Sequence, residues 1–199
     1  MPPPPPQVTQ WLRETYPQPT VDPEWLEACY TWILSELHLD PARDMPAILD
    51  NVNSQLLGSD FADSMVAGTG FPQNVLGADH AVLRGPILVE VTEIMEFAHS
   101  AYSLLQVHES RQEYRKQAAL RDASGDGREH ERERKPMPKY PRSTLQLLLS
   151  DGASVLPAIE VKNLPQFELG ETPLGYKVGV LGHAVGVPSS SMPYIVRVL

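Results

Sequence analysis

The sequence predicts an α+β protein in which a small helical bundle precedes a small β-barrel. Three observations predict this class. Helical periodicity dominates residues 7–67, short β-like runs dominate residues 87–199, and a segment with glycines and prolines, 68–86, lies between them. A proline-rich tail covers residues 1–6. We therefore expect a tail, a helical bundle, a linker and a barrel, in that order.

The helix that the sequence predicts most clearly lies in VDPEWLEACYTWILSEL. Asp22 is a favourable N-cap, and Pro23 occupies the first helical position, where its missing N–H is not needed. Trp25, Cys29 and Ile33 recur every four residues and predict one apolar face. Shorter helical patterns on either side complete a small bundle: QVTQWLRETY, MPAILDNVNSQLL and SDFADSMV.

The second half of the chain contains four or five short β-like runs. ILVEVTEIMEF is the first, and STLQLLLSDGASVLPAIEV supplies two more, joined by Asp151-Gly152, a strong hairpin signal. YKVGVLG and YIVRVL follow. A long excursion separates the first run from the second, which suggests a Greek-key barrel such as the OB-fold. Because Pro188, Pro193 and three serines interrupt the approach to YIVRVL, we expect difficult closure of the barrel and unpaired edges.

Composition and charge restrict the function. The 199 residues carry a formal net charge of -9, which argues against a general nucleic-acid coat protein. Cys29 is the only cysteine, so no intrachain disulfide can form, and a buried, inert thiol in a reducing compartment is expected. No apolar run approaches the ~20 residues that a membrane span needs, and MPPPPPQ does not resemble a secretory signal. We expect a soluble intracellular protein with no membrane contact.

Motifs typical of catalysis, phosphate binding or zinc binding are absent from the sequence. Three histidines could meet in space or remain solvated: His99, His108 and His130. A carboxylate series, Glu90, Glu93 and Glu96, could suggest acid–base chemistry. On a strand this spacing alternates faces, so at least one of the three should face water. The sequence therefore predicts no enzyme, no cofactor and no metal site.

One stretch gathers positive charge in this acidic protein. Residues 107–142 contain ten Lys or Arg and seven Asp or Glu, whereas the whole chain holds 16 Lys or Arg. The alternating signs of REHERERK are typical of a solvated segment, and the alternative is a contact surface. QEYRKQAAL contains good helix formers that could order on docking, while DASGDG should stay flexible.

Five segments, in the correct order, resemble the RecQ-mediated genome instability protein 1 family. VDPEWLEACYTWI resembles the family's WLxxCxxWI helix, and SQLLGSDFADS resembles the helix pair that follows. ILVEVTEIMEFAHSAYSLLQ is similar to the first barrel strand with its Ala-Tyr-Ser ending. STLQLLLSDGASVLPAIEV is similar to the next hairpin, including its Asp-Gly turn and Glu160. LPQFELGETPLGYKVGVLG resembles a segment of the form L…PGxKxxxxG.

The resemblance implies a three-helix bundle packed on an OB-fold, with a long loop inserted between the first two strands. Within the family, the chain resembles the short, fungal-like form. It implies a non-catalytic nuclear subunit that acts with a type IA DNA topoisomerase, topoisomerase III, and with a RecQ-family helicase. Such complexes dissolve double Holliday junctions and promote decatenation in DNA repair, replication and homologous recombination. DNA is then reached mostly through the complex. By order along the chain, the insertion that enters the topoisomerase gate is residues 107–142.

The resemblance also implies which side chains bind the topoisomerase gate or the passing DNA. They are Arg111, Tyr114, Arg115, Lys116, Arg121, Arg128, Arg132, Arg134, Lys135 and Lys139. The alternative function is an OB-fold that binds single-stranded DNA or RNA directly. Such a fold needs stacking aromatics and basic rims, and the sequence offers few of either outside the insertion.

Overall fold

The computed structural model of the chain describes residues 3–73, 75, 80–123, 136–160, 162–185 and 194–198. Within these ranges, four helices precede a five-stranded barrel, and a long fifth helix lies between the first and second strands. The predicted α+β class, with the bundle before the barrel, is confirmed.

The helices of the first half begin and end close to the predicted positions. They are α1 (Pro6–Thr15), α2 (Pro23–Leu37), α3 (Met45–Gly58) and α4 (Phe61–Ser64). The Asp22 carboxylate caps α2 as predicted, accepting hydrogen bonds from the N–H groups of Glu24 at 2.8 Å and Trp25 at 3.0 Å. Helix α2 ends where His38 adopts a left-handed conformation, with φ of 53°.

One apolar core holds these helices together, because each contributes buried side chains to the same cluster. The cluster contains Val8, Leu12, Leu26, Tyr30, Ile33, Ile48, Val52, Leu56 and Phe61. Cys29 packs at its margin, and burial raises the pKa of its thiol to about 11. The thiol is therefore protonated at neutral pH, in agreement with the expected inert cysteine.

The barrel consists of β1 (His80–Glu96), β2 (Leu145–Ser150), β3 (Val155–Ile159), β4 (Tyr176–Val185) and β5 (Tyr194–Val198). It is closed in the order β1-β2-β3-β5-β4. Strands β3 and β5 are parallel, and every other neighbouring pair is antiparallel. This arrangement is a five-stranded Greek-key barrel of the OB type.

The expectation of unpaired edges after the serine- and proline-containing segment is wrong. Strand β5 pairs with both of its neighbours, with Tyr194 opposite Ala158 on β3 and Val198 opposite Val180 on β4. Strand β5 has only five residues, but these suffice to close the barrel. It pairs only with β3 and β4, because the other edges of β3 and β4 already pair with β2 and β1.

The predicted linker is too long at its C-terminal end. Strand β1 begins at His80, whereas the sequence predicts a linker over 68–86. Residues 80–83 pair with β4, and the register then shifts before Ile87. Gly85, with a φ of 76°, lies in that shift. The glycine and proline that suggested a linker therefore mark an irregularity inside one long strand.

The insertion between β1 and β2 is largely helical rather than a loop. Helix α5 runs over Ala101–Ala123, so the Ala-Tyr-Ser sequence predicted to end the first strand forms the first turn of a helix. QEYRKQAAL, expected to order on docking, is helical in the chain alone. The first two residues of DASGDG complete α5, and residues 124–135 lie outside the described part of the chain.

A buried ion pair joins the bundle to the barrel. Lys177 Nζ on β4 donates to Glu90 Oε2 on β1 at 2.8 Å and to the Ser59 carbonyl at the end of α3 at 2.7 Å. The ammonium group also lies 4.3 Å from the centroid of the Phe61 ring. The ammonium group of Lys177 thus contacts residues of both domains, so Lys177 binds them together.

The Asp151-Gly152 hairpin turn also contacts the bundle. Gly152 has a φ of 94°, and a Cβ at this position would lie 2.3 Å from the Phe61 carbonyl oxygen of α4. Asp151 accepts hydrogen bonds from the N–H groups of Phe71 at 2.6 Å and Ser154 at 2.7 Å. The turn that the sequence predicts thus also positions the bundle and the chain that leads into β1.

Candidate functional site

The insertion leaves and rejoins the barrel at one buried carboxylate. Glu96, the last residue of β1, is 4% exposed. Its Oε2 accepts a hydrogen bond from the N–H of His99 at 2.6 Å, and its Oε1 accepts from the N–H groups of Ser143 and Thr144, both at 3.2 Å. Because one side chain binds both segments, it fixes the start of the insertion beside its end.

Glu96 is held in its charged form. Burial alone would raise the pKa of Glu96, but the His99 ring, the His99 N–H and the Thr144 N–H together outweigh burial and lower the pKa. His99 Nδ1 lies 3.0 Å from Glu96 Oε2. The carboxylate is therefore a charged anchor at neutral pH.

A second buried carboxylate, Glu160, binds the end of the insertion. Arg142 contacts it with both terminal nitrogens, and Nη2 donates to Oε2 at 2.6 Å. The Leu145 N–H at the start of β2 donates to Oε1 at 3.1 Å. Burial alone would raise the pKa of Glu160, but the hydrogen bonds from Arg142 and Leu145 lower it. Glu160, which the resemblance singles out, thus fastens the insertion to β2.

A buried arginine lies near the middle of α5. Among the α5 side chains that the structure describes, Arg111 alone is buried, with 4% of the residue exposed. Its Nη1 donates to the Pro138 carbonyl at 2.8 Å, its Nη2 forms an ion pair with Glu171, and its guanidinium lies 4.9 Å from the centroid of the Tyr140 ring. We call this group of four residues the Arg111 clamp.

The clamp is built against a glycine. Gly170 has a φ of 77°, and a Cβ there would lie 2.6 Å from Cε2 of Tyr140, so a larger residue would displace the ring. The Tyr140 hydroxyl lies 3.0 Å from His108 Nδ1 on α5. Tyr140 therefore contacts α5 both through its ring and through its hydroxyl group.

The anion of the clamp faces several cations. The hydrogen bond from Arg111 lowers the pKa of Glu171, and the charges of Arg115 and Lys139 lower it further. Lys139 itself donates to Glu168 Oε1 at 2.8 Å. The segment between β3 and β4 thus supplies two acidic residues to the basic insertion.

The predicted contact residues occupy different environments. Arg115, Lys116 and Arg121 are exposed on the second half of α5, and Tyr114 is half-buried there. Lys139 is exposed on the segment that returns to β2. Arg128, Arg132, Arg134 and Lys135 lie outside the described residues.

For Arg111, the predicted partner contact is corrected by the structure. Its side chain is only 5% exposed and is surrounded by Pro138, Tyr140 and Glu171, which leaves it almost no surface for another molecule. Nine of the ten predicted contact residues are Lys or Arg, and the sequence does not distinguish Arg111 from the others because it records composition and not burial.

The outer face of β2 and β3 is nearly uncharged. Five side chains alternate with the buried leucines of these strands and point away from the core: Gln146, Leu148, Val155, Pro157 and Ile159. None of the five is basic or aromatic. OB-folds that bind oligonucleotides use this region, and stacking rings and cations provide their affinity. We call these five residues the outer face.

Two family models match the chain, and their borders follow the observed domains. The model described as "RMI1, N-terminal helical domain" matches residues 12–64, and "RMI1, N-terminal OB-fold domain" matches residues 71–186, including α5. The chain belongs to the RMI1 family. RecQ-mediated genome instability protein 1 of Mus musculus is 27% identical over 176 residues, which cover 88% of this chain and 26% of that protein. The chain thus spans about a quarter of the length of this curated relative.

The other titratable groups of this RMI1-family chain form no further cluster in the described structure. His99 and His108 contact Glu96 and Tyr140 respectively, and His130 lies outside the described residues. Of the carboxylate series, Glu90 and Glu96 are buried in separate contacts and Glu93 faces water, as predicted for at least one member. No group of three or more His, Cys, Asp or Glu in the described ranges could hold a metal ion.

Sequence reasoning missed the residues that hold the RMI1-family insertion in place. Glu171 lies 60 residues from Arg111, and no local pattern pairs the two. The sequence shows Glu96 only as one of three carboxylates, although its position directly before the insertion is an available signal.

None of the helices that the structure describes is long and apolar enough to cross a membrane.

Proposed function

We propose that this protein is a non-catalytic subunit that binds a type IA DNA topoisomerase and a RecQ-family helicase, and that α5 is the element it presents to the topoisomerase gate. In this role it promotes decatenation and the dissolution of double Holliday junctions in the nucleus, and so maintains genome stability. Membership of the RMI1 family and the name of the mouse relative support the RecQ pathway. The gate contact is what the family resemblance implies, and the form of the insertion supports it.

The observation that carries the proposal is the form of the insertion. Helix α5 contains 23 residues and is therefore about 35 Å long, at 1.5 Å per residue. No other described helix or strand packs closely along it. Glu96 and the Arg111 clamp attach its first half to the barrel, whereas Arg115, Lys116 and Arg121 are exposed beyond the clamp. A long charged helix that is attached through its first half and exposes cations on its second half suits insertion into a cleft of a partner.

The direct nucleic-acid alternative has less support. The outer face of β2 and β3 lacks both cations and aromatic rings, and the chain carries a formal net charge of -9. Phosphate repulsion then opposes binding, while nothing on this face stacks on bases. Its leucine, valine, proline and isoleucine side chains are better suited to contact with a partner protein.

The mechanism we propose is a shift in the population of gate states. A helix that binds the open gate more tightly than the closed gate favours opening, and a tenfold bias requires only ~1.4 kcal/mol of differential affinity. A few charge-assisted hydrogen bonds from the exposed half of α5 can supply that difference. Because α5 is already helical, little backbone entropy is lost when it binds.

The test is to neutralise the exposed cations of α5 while leaving its anchors intact. The variant Arg115→Gln, Lys116→Gln, Arg121→Gln is compared with Glu109→Gln, Glu113→Gln, which neutralises exposed acids of the same helix. Binding to topoisomerase III is measured by calorimetry, and decatenation is measured with linked DNA circles. We expect the first variant to lose stimulation of decatenation and the second to keep it.

Two outcomes would reject this function. If the intact, folded chain fails to bind the topoisomerase, the subunit role is wrong. If it instead binds oligonucleotides with an affinity that falls steeply with salt, the direct nucleic-acid alternative is correct.

A further inference from the structure

We propose that Arg111 is a positioning residue that fixes the direction of α5 relative to the barrel before any partner binds. This inference rests on the proposed function, because it assumes that α5 is the element presented to the partner. The described contacts of Arg111 are all internal, so its effect on a partner is exerted through the orientation of the helix.

The first argument is the chemistry of the buried group. Arg111 has only 5% of its side chain exposed, and burying a charge is unfavourable unless charged and hydrogen-bonding partners compensate. The three partners come from two segments: Pro138 and Tyr140 from the chain returning to β2, and Glu171 from the segment between β3 and β4. A planar guanidinium with several fixed donors can hold three such groups at once, and an apolar side chain could not define their geometry.

The second argument is the weakness of other contacts along α5. The first turns of the helix line a shallow groove with Tyr140, Leu169 and Gly170, yet Leu105 stays 51% exposed and Tyr102 69% exposed. Apolar packing therefore buries little of α5. The neighbouring Lys139–Glu168 pair has side chains that are 78% and 50% exposed, and such surface pairs contribute little.

The third argument is the spacing of the two attachments. Glu96 holds the chain just before α5, at His99, and Arg111 lies about 15 Å along the helix axis from its first residue. One attachment would allow the helix to pivot, whereas two separated attachments define its axis. The 12 residues beyond the clamp, 112–123, extend about 18 Å further, so any change of angle at Arg111 displaces the exposed cations.

The clamp can be tested at Glu171, which is not one of the predicted partner contacts. Glu171→Gln removes the anion and keeps Arg111, and Arg111→Lys keeps a cation but removes the planar fork. The control is Glu168→Gln, which removes the adjacent exposed ion pair with Lys139. Each variant is made in the full chain with Cys29→Ala, so that spin labels can be placed at Gln117→Cys on α5 and Glu93→Cys on β1, both exposed positions.

Pulsed electron spin resonance then gives the distribution of distances between the two labels. We expect one narrow distribution in the parent and in Glu168→Gln, and broad distributions in Glu171→Gln and Arg111→Lys. Near-ultraviolet circular dichroism verifies that the barrel stays folded. With topoisomerase III, the association rate constant of Glu171→Gln should fall about tenfold, because the helix must be oriented during binding.

The distance distribution decides the inference without any partner. If both clamp variants keep the narrow distribution of the parent, Arg111 does not orient α5 and the inference is wrong. If the clamp variants broaden while the parent fails to bind topoisomerase III, the clamp stands and the proposed function fails. If they broaden but associate with the topoisomerase as fast as the parent, Arg111 orients α5 and the expected tenfold effect on association is wrong.

Discussion

The junction between the bundle and the barrel is built differently from the attachment of α5. At the junction, Leu88 of β1 packs within the core of the helical bundle, and the Lys177–Glu90 pair has side chains only 6% and 10% exposed. Along α5, no described apolar side chain is fully buried, Leu105 and Leu120 are more than half exposed, and the one buried side chain that is described is a charged one, Arg111. The junction is thus held by buried side chains, both apolar and paired charged ones, whereas α5 is held mainly by contacts of charged side chains.

This difference predicts different responses to mutation and to solution conditions. Buried contacts are screened weakly by salt and cost several kcal/mol to break, whereas partly exposed charges respond to pH and ionic strength. Two features of the segments that resemble the family, the Asp-Gly turn and Lys177, lie at the junction. Substitutions should be tolerated least at this junction.

The largest effect is expected from Lys177→Met. This change leaves the Glu90 carboxylate buried without its partner, and we expect the free energy of unfolding to fall by about 3–5 kcal/mol. Urea denaturation followed by circular dichroism measures the loss. Glu168→Gln serves as the control, because it breaks another Lys–Glu contact of 2.8 Å that is exposed, and should change the value by less than ~1 kcal/mol. Equal losses in the two variants would contradict the proposed distinction.

A smaller loss is expected from Gly152→Ala at the same junction. The new Cβ would lie 2.3 Å from the Phe61 carbonyl oxygen, a backbone atom that cannot move away alone, and the φ of 94° adds strain. We expect a loss of about 3 kcal/mol from these two sources, measured by the same denaturation.

Gly175→Ala separates the steric clash of the new Cβ from the backbone strain of a positive φ. Gly175 also has a positive φ, of 83°, but no atom lies within 4 Å of its added Cβ. Only the conformational term then applies, about 1–2 kcal/mol. If Gly175→Ala costs as much as Gly152→Ala, close packing at the turn does not contribute.

An effect that depends on pH is expected where the insertion joins the barrel. Glu96 and Glu160 have lowered pKa values, so the unfolded chain binds protons more readily than the folded chain. Their stabilisation is complete above the ordinary carboxyl pKa of 4.5 and is lost as the pH falls through the lower folded-state values. Denaturation midpoints measured from neutral pH to below 4.5 should therefore fall.

Glu96→Gln tests the origin of that pH dependence. The amide still occupies the site but weakens the hydrogen bonds to His99, Ser143 and Thr144, so we expect a loss of about 1–3 kcal/mol at neutral pH. The same variant should lose less stability than the parent on acidification. If the stability of Glu96→Gln depends on pH in the same way as that of the parent, groups other than Glu96 cause the pH dependence.

The smallest effect on stability is expected from the exposed half of α5. Lys116→Glu changes one exposed side chain only, so the free energy of unfolding should change by less than ~0.5 kcal/mol. Binding to topoisomerase III should nevertheless weaken, and more so at low salt, because a charge that faces the partner is reversed. A large loss of stability would show that this half of the helix is not free of the barrel.

Local signals explain what the sequence predicted correctly. The Asp22 cap with Pro23 and the Asp151-Gly152 turn depend on neighbouring residues alone, and both are present as predicted. The resemblance places Ala-Tyr-Ser at the end of the first strand, and a short apolar run such as SAYSLLQ has no period decisive enough to contradict it. In the structure its residues from Ala101 onward form the first turns of α5.

The contacts that orient the candidate site could not be predicted, because they join distant segments. Arg111 is one of ten Lys or Arg residues in its stretch, and only the return of the chain past Tyr140 and Glu171 distinguishes it from the others. Likewise, Lys177 was recognised within a family motif, but its contact with Ser59 spans 118 residues. Sequence patterns thus revealed the elements and the charges, and the long-range pairs became visible only in three dimensions.

The pairing of β1 with β4 has a consequence for the order of events in folding. Glu90 lies opposite Lys177, 87 residues later, whereas α2, α3 and α4, which contact one another in the bundle, all lie within residues 23–64. Local helical contacts form faster than pairings between distant strands. The bundle should therefore assemble early, and the ammonium group of Lys177 reaches Phe61 only when β4 docks. In a refolding experiment, the helical signal should appear before the interdomain contact, so that the newly made protein passes through a stage with a formed bundle and an incomplete barrel.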